Sequence, residues 1–367
     1  MIFNLGEGVA YKTPVLNSAY PADVTQMEKS GGSATFQVKI SSAGHPEVYT
    51  YQWYVNDSAV SGATSASYTK TGLTAAGTYK VYCRVTNAAG SVNSRTATLT
   101  VQATKPEFSY SGTYKIEQDG SYHWKLNLLT SGKLKFTHLG CFVSGIDVFC
   151  VGGGGAGCNA GGGGGYTKTG KKVSVAAGTE YTITIGAGGQ PTTSDHNEFQ
   201  TYSGNDGGNT SAFGVTANGG KAANHKYVSS ENESYSYAGD GASGGGVHGN
   251  GTTWTSGNGG SDGSAGGTGS NKHPRSYAGA GQGTTTREFG ESGGKLYAGG
   301  GGGGNYGEGA AASGGSGGGG NGATRYSDKI SGGSAGSTNT GGGGGGGYGN
   351  GHGFAGGSGV AVIRDAR

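Results

Sequence analysis

Apolar residues recur at every second position through much of the first hundred residues. Phe36, Val38 and Ile40 share one phase, and Tyr79, Val81, Cys83 and Val85 share another, which predicts half-buried strands. Between them lie the run Tyr51–Asp57 and the turn-rich Ser61-Gly62-Ala63-Thr64. Short strands at such spacing predict an antiparallel sandwich over residues 14–103. The tripeptide Thr104-Lys105-Pro106 interrupts the pattern, which then resumes at Thr113–Glu117, His123–Leu129, Lys133–Thr137 and Ile146–Val151. Asp119-Gly120 and Ser131-Gly132 supply turns. Further strands are expected at Lys172–Val175 and Tyr181–Ile185, and the chain ends in the apolar Val360-Ala361-Val362-Ile363. An apolar strand that follows a long polar tract needs a sheet to pair with. The expected fold is therefore all-β, with a β-base that the intervening tract leaves and rejoins.

That tract changes the picture. Glycine accounts for 86 of 367 residues and lies almost wholly after Leu139, in runs such as Gly152–Gly155, Gly161–Gly165, Gly299–Gly304, Gly317–Gly320 and Gly341–Gly347. Hydrophobic residues make up 32 % of the chain, well below the roughly 45–50 % of ordinary globular domains, so an oil-like core cannot run throughout. A free glycine chain would be a coil, and the strict every-third-glycine pattern of collagen is missing. A third arrangement is a bundle of polyglycine II helices with polyproline II geometry, packed side by side. Such rods have three residues per turn and no internal hydrogen bonds, so they must bond to one another to satisfy their backbones. Gly341–Gly347 would span about 22 Å at the rise of about 3.1 Å per residue. Several runs of similar length suit a bundle better than a linker. The expected organisation is an attachment segment at 1–13, the sandwich at 14–103, a linker at 104–111 and the glycine-rich domain at 112–367.

Two resemblances attach to these phrases. Gly77–Asn87 resembles the F strand of immunoglobulin-like domains, with Trp53 as the core tryptophan and Tyr79 as the corner tyrosine. Val81 stands where antibody domains carry a cysteine, so apolar packing replaces the inter-sheet disulfide. Thr113–Leu139, Ile146–Gly155, Gly165–Thr169, Tyr181–Gly189 and Gly356–Arg364 resemble the glycine-rich domains of bacteriophage tail fibres and prophage minor tail proteins, and Met1–Gly8 resembles the start of small tail proteins of Firmicutes phages. The related fold is a β-base carrying packed polyglycine II helices, as in phage tip adhesins, and the glycine-rich domain of anaplastic lymphoma kinase-type receptors is similar. The resemblance implies a virion tail protein, assembled in the host cytoplasm beside other tail proteins. It would bind a bacterial surface glycan or protein through loops joining the rods, as a monomer or a trimer. The loop residues so implied are Tyr227, Tyr235, Tyr237, Trp254, His273, Arg275, Tyr277, Phe289 and Tyr326. The alternative is a structural head fibre or decoration protein whose first domain binds carbohydrate weakly through Tyr49, Tyr51 or Tyr54.

Charge and candidate chemistry narrow this further. A net charge of +3 with 13 % charged residues gives no basic stripe for nucleic acid or an acidic membrane. Tyrosine dominates the aromatics, 22 against ten phenylalanines and three tryptophans, a bias that suits binding surfaces. Met1–Gly6 has neither the basic start nor the apolar run of a signal peptide. Cys83, Cys141, Cys150 and Cys158 are too few for a disulfide framework and are expected to be reduced. Gly165–Lys171 has the spacing of a phosphate-binding loop, but Lys172 replaces its Ser or Thr and no helix is expected after it. Asp206, Asp240 and Asp262 do not repeat a calcium nonapeptide, and the cysteines lack paired zinc spacing. The acids are scattered rather than paired as hydrolysis requires. No enzyme, metal or cofactor is expected.

Overall fold

A computed structural model describes residues 9–28, 32–74, 76–120, 123–192, 201–231, 233–247, 249–250, 258–268, 276–283, 285–306, 310–326, 329–347 and 353–367. The described residues contain strands and two short 3₁₀ turns but no α-helix. The chain divides into two compact units, Met1–Lys105 and Pro106–Arg367.

In the first unit the strand Gly77–Asn87 is central. Thr50–Val55 and Ala97–Gln102 flank it antiparallel, and Val24–Met27 adds parallel to the latter. A second sheet pairs Ser33–Gln37 with Ser67–Thr71. The two share one core, built from Ala34 and Phe36 on one side and Trp53, Val81, Cys83, Val85 and Leu99 on the other. The alternation of Val81, Cys83 and Val85 thus faces inward as expected. The expected continuation from Phe36 to Ile40 breaks, because Ile40–Ser42 leaves that sheet to pair with Val15–Leu16. Buried Trp53 satisfies its indole by donating to the Ser65 carbonyl at 2.8 Å.

In the second unit the base contains two sheets. One is antiparallel in the order Tyr114–Gln118, Trp124–Leu128, Val360–Asp365, Ile146–Val151, Thr167–Val173. The other orders Glu107–Tyr110, Gly132–His138 and Glu180–Ile183. Residues 107–110 therefore belong to the base rather than to a linker, since Phe108 meets Phe136 edge to face at 6.2 Å. Ser131-Gly132 turns the chain from the first sheet into the second instead of closing a hairpin. The strand expected at Lys172–Val175 lies earlier, at Thr167–Val173, with Lys172 in the left-handed region at φ 50°.

Every residue of the two central strands, Ile146–Val151 and Val360–Asp365, is buried. On one face Phe149, Val151, Val360 and Val362 pack against Ala242, Phe289, Tyr297 and Ala298. The same face carries charge. Asp147 lies opposite Arg364 in the register and bonds the Lys171 ammonium at 2.9 Å and the Lys172 amide at 3.1 Å. Arg364 reaches Glu291 at 2.5 Å and lies 4.0 Å from the Phe289 ring centroid. Burial works against the Asp147 carboxylate, yet Lys171, the Lys172 amide and Arg364 outweigh it and hold its pKa below the ordinary value. The hydrogen bond from Arg364 does the same for Glu291.

The glycine tract beyond the base follows a period of three. From residue 161, the amides of Gly161 and Gly164 donate to Gly246 and Ser243. Those of Gly162 and Gly165 donate to Gly344 and Gly341, and that of Gly163 to Lys221, all at 2.8–3.0 Å. Residues 152–157 repeat the scheme. Gly152 and Gly155 bond Tyr166 and Gly163, Gly153 and Ala156 bond Gly208 and Asn205, and Gly154 and Gly157 bond Gly357 and Phe354. Successive amides thus address three neighbouring segments in turn. Approach is correspondingly close. A Cβ added to Gly343 would sit 2.0 Å from the Gly162 carbonyl oxygen, and one on Gly163 would sit 2.1 Å from that of Asp240. No side chain fits there.

Two outcomes follow from this packing. Gly343→Ala is expected to cost about 1–3 kcal/mol or more through overpacking, lowering Tm by several degrees. Gly293→Ala, where a Cβ meets nothing within 4 Å, is expected to leave thermal melting unchanged. Because Asp147 and Glu291 have depressed folded pKa values, their stabilisation is complete above the unfolded carboxylate range and is lost as pH falls through the folded values. Asp147→Asn is expected to lower stability at neutral pH by about 3 kcal/mol and to flatten the acid limb of a Tm-against-pH series.

Candidate ligand-binding groove

Four short strands form a sheet on the glycine tract, in the order Tyr202–Ser203, Asn224–Val228, Glu233–Tyr237, Ser276–Tyr277. The middle two make a hairpin, and the last runs parallel to its neighbour with Tyr237 opposite Tyr277. Strand alternation sorts the residues. His225, paired with Tyr202 and with Ser236, faces the tract. Its ring stacks on Tyr202 at 4.8 Å and lies 3.3 Å from Asn159 Nδ2, while the Tyr202 hydroxyl reaches Asn159 Oδ1 at 3.3 Å. These contacts pin the sheet to buried Cys158–Ala160. Burial pushes the Cys158 thiol up to about 12, so it stays protonated and serves packing.

The opposite face presents one row across all four strands: Ser203, Asn224, Tyr237 and Tyr277. Tyr237 and Tyr277 stack with centroids 4.9 Å apart and planes 8° from parallel. Tyr235, two residues along, continues the ladder at 6.4 Å from Tyr237. Tyr277, on the edge strand, is 47 % exposed. The Tyr235 hydroxyl donates to the Glu231 carboxylate, and this bond above all pushes its phenol up to about 12.

Each strand runs on into the glycine tract, where a second row lies three residues away. Asp206 follows Ser203, Lys221 precedes Asn224 and Asp240 follows Tyr237. Asp206 accepts from the Lys221 ammonium at 2.7 Å and from the Ala222 amide at 2.8 Å. The Asp206 bond, first of all, raises the Lys221 pKa and keeps it cationic. Asp240 Oδ1 accepts from the Ala280 amide at 2.6 Å. Both rows line one groove of about 490 Å³, within the size range of small-ligand sites.

The structure therefore brings together Tyr235, Tyr237 and Tyr277 and separates the other expected residues from them. Tyr227 shares the strand phase of His225 and lies across the sheet from the tyrosine row. Phe289 is 6 % exposed and fills the base under Arg364, so its ring serves the core rather than a surface. It is buried because the apolar face of the central strands needs cover. Tyr326 ends the strand Ala323–Tyr326 in another sheet. Trp254, His273 and Arg275 lie outside the described residues. Sequence reasoning missed Asn224, Asp206, Lys221 and Asp240 as one constellation. The three-residue spacing from the strand residues was the available signal. No group of three or more His, Cys, Asp or Glu side chains among the described residues is placed to hold a metal.

With that geometry in view, comparison with known proteins gives one decisive match. The family described as "Glycine-rich domain" matches residues 135–365. The chain belongs to this glycine-rich domain family. The match spans the base strands from Gly132–His138 onward together with the whole tract that carries the groove. No curated protein sequence matches the chain. Among solved structures it is similar to a quinonprotein alcohol dehydrogenase-like protein from Bacteroides thetaiotaomicron, at 14 % identity over 47 % of this chain and 38 % of that one, with a TM-score of 0.21. It is also similar to SGBP-B of the Bacteroides ovatus mixed-linkage glucan utilization locus, solved in complex with a mixed-linkage heptasaccharide. That match has 12 % identity over 60 % of this chain and 75 % of that one, with a TM-score of 0.18. The chain spans well under half the length of the first of these. Neither likeness bears on the fold or activity of this family member.

Stacked aromatic pairs contribute about 0.5–1.5 kcal/mol beyond area burial. A double-mutant cycle of Tyr237→Ala and Tyr277→Ala, read by denaturant unfolding, is expected to give a coupling in that range, with Tyr277→Ala alone still folded.

Proposed function

We propose that the protein is a non-enzymatic attachment component of a bacteriophage or prophage tail, which binds a bacterial surface through its glycine-rich domain. On this reading the first unit is an immunoglobulin-like sandwich, and the glycine segments are polyglycine II helices packed as rods. The three-residue period of the amide bonds and the buried Trp53 beside Val81, Cys83 and Val85 support those finer descriptions. The observation that carries the function is the tyrosine ladder of Tyr235, Tyr237 and Tyr277, displayed on a scaffold whose own bonding is backbone to backbone. Binding to a preordered surface avoids the ordering cost that a loop in solution would incur, and tyrosine is among the residues that dominate binding hot spots. A binding role suits the groove better than catalysis. Asp206 is ion-paired and Asp240 is bonded to a backbone amide, whereas hydrolysis needs two carboxyls set for proton transfer.

The test is sedimentation of labelled protein with a panel of bacterial strains, alongside a Tyr235→Ala/Tyr237→Ala/Tyr277→Ala variant checked by thermal melting. Wild type is expected to bind at least one strain, and the folded variant to lose at least tenfold. Binding to no strain, or equal binding by the variant, overturns the reading.

A further inference from the structure

The two rows of the groove define its ligand more narrowly. We infer that the groove between Tyr277 and Asp206 binds a neutral oligosaccharide, an inference that rests on the surface-binding reading above. The outer row offers the Tyr237–Tyr277 stack, with Tyr277 47 % exposed, flanked by the amide of Asn224 and the hydroxyl of Ser203. The C–H faces of a sugar ring pack on an aromatic ring, while its hydroxyls act as donors and acceptors. The inner row supplies partners for both roles, carboxylate acceptors at Asp206 and Asp240 and an ammonium donor at Lys221.

Charge argues against other ligands. The two carboxylates and one ammonium leave a formal charge of −1, and Asp206 is already neutralised by Lys221 at 2.7 Å. An anionic ligand would meet the Asp240 carboxylate, and a multivalent cation would find one uncompensated carboxylate. A polyhydroxylated neutral chain meets neither penalty. Geometry agrees with this. At three residues per turn the rows lie about 9 Å apart along each segment, a span that suits linked sugar rings running from the ladder toward the carboxylates. The groove is open rather than enclosed by apolar side chains, as an elongated polar ligand requires.

Calorimetric titration of the full chain tests this with hexasaccharides of glucose (α1,4 and β1,4), mannose, galactose and N-acetylglucosamine, and with an oligogalacturonide as the acidic comparator. At least one neutral oligosaccharide is expected to bind with Kd of about 10 μM to 1 mM. Tyr277→Ala and Asp240→Asn, both at exposed positions, are each expected to weaken it at least tenfold while remaining folded by thermal melting. Tyr54→Ala, in the stacked Tyr54–Tyr82 pair of the first unit, is expected to leave it unaltered. Absence of neutral binding up to about 10 mM, binding of the acidic comparator alone, or wild-type affinity in Tyr277→Ala overturns the inference. Should cells bind through the tyrosines while no sugar does, the glycan falls and the attachment reading stands. Sugar binding without binding to any strain has the opposite meaning.

Discussion

The second unit depends on how closely one backbone approaches another. At Gly154, Gly162, Gly163 and Gly343 an added Cβ would lie about 2 Å from a carbonyl oxygen of a neighbouring segment, a distance at which only hydrogen fits. Glycine is the most costly residue to order, and here that cost is offset by hydrogen bonds rather than by apolar burial. Each amide in the runs 152–157 and 161–165 finds a carbonyl on one of three neighbours, in strict rotation. The low hydrophobic fraction is then no obstacle to order. Backbone groups form the interior, and the amides of these two runs are satisfied as buried polar groups must be.

Such a lattice still has to be anchored, and the base does this with the two strands whose every residue is buried. Phe149, Val151, Val360 and Val362 supply the apolar surface that the glycine segments lack, and Phe289 and Tyr297 cap it. The Asp147–Arg364 pair fixes the register of the C-terminal strand, since both charges are buried and each keeps a second partner. A shifted pairing would leave one of them without compensation, which is costly in a low-dielectric setting. The tract therefore begins and ends on adjacent strands of one sheet, and its segments are held from both directions.

Much of this was legible in the sequence where local pattern and global structure coincide. Ile146–Val151 has the expected bounds because a short run rich in β-branched and aromatic residues, broken only by Asp147 and stopped by glycine, reads as a buried strand. Ser131-Gly132 carries a turn signal that is correct in itself, but nothing local says that its two flanks join different sheets. Phe289 reads as a loop aromatic because its neighbours are polar, and its burial depends on Arg364, distant in sequence. The groove was half visible. Tyr235, Tyr237 and Tyr277 were recognisable as aromatics among glycines, whereas the Tyr237–Tyr277 stack depends on a parallel pairing between remote segments. Asp206, Lys221 and Asp240 stand three residues from the strand residues, a relation that acquires meaning only with the period of three in the amide bonds.

The central claim is that the glycine tract is a bonded solid and not a tethered coil, and amide hydrogen exchange measures that directly. With isotope-labelled glycine and valine, the amides of Gly162, Gly163 and Gly164, bonded to Gly344, Lys221 and Ser243, are predicted to exchange only by unfolding of the whole unit. Their protection should match that of Val148 and Val362 in the base. Exchange of these glycine amides at the rate of an unstructured peptide, while the base stays protected, would contradict the account.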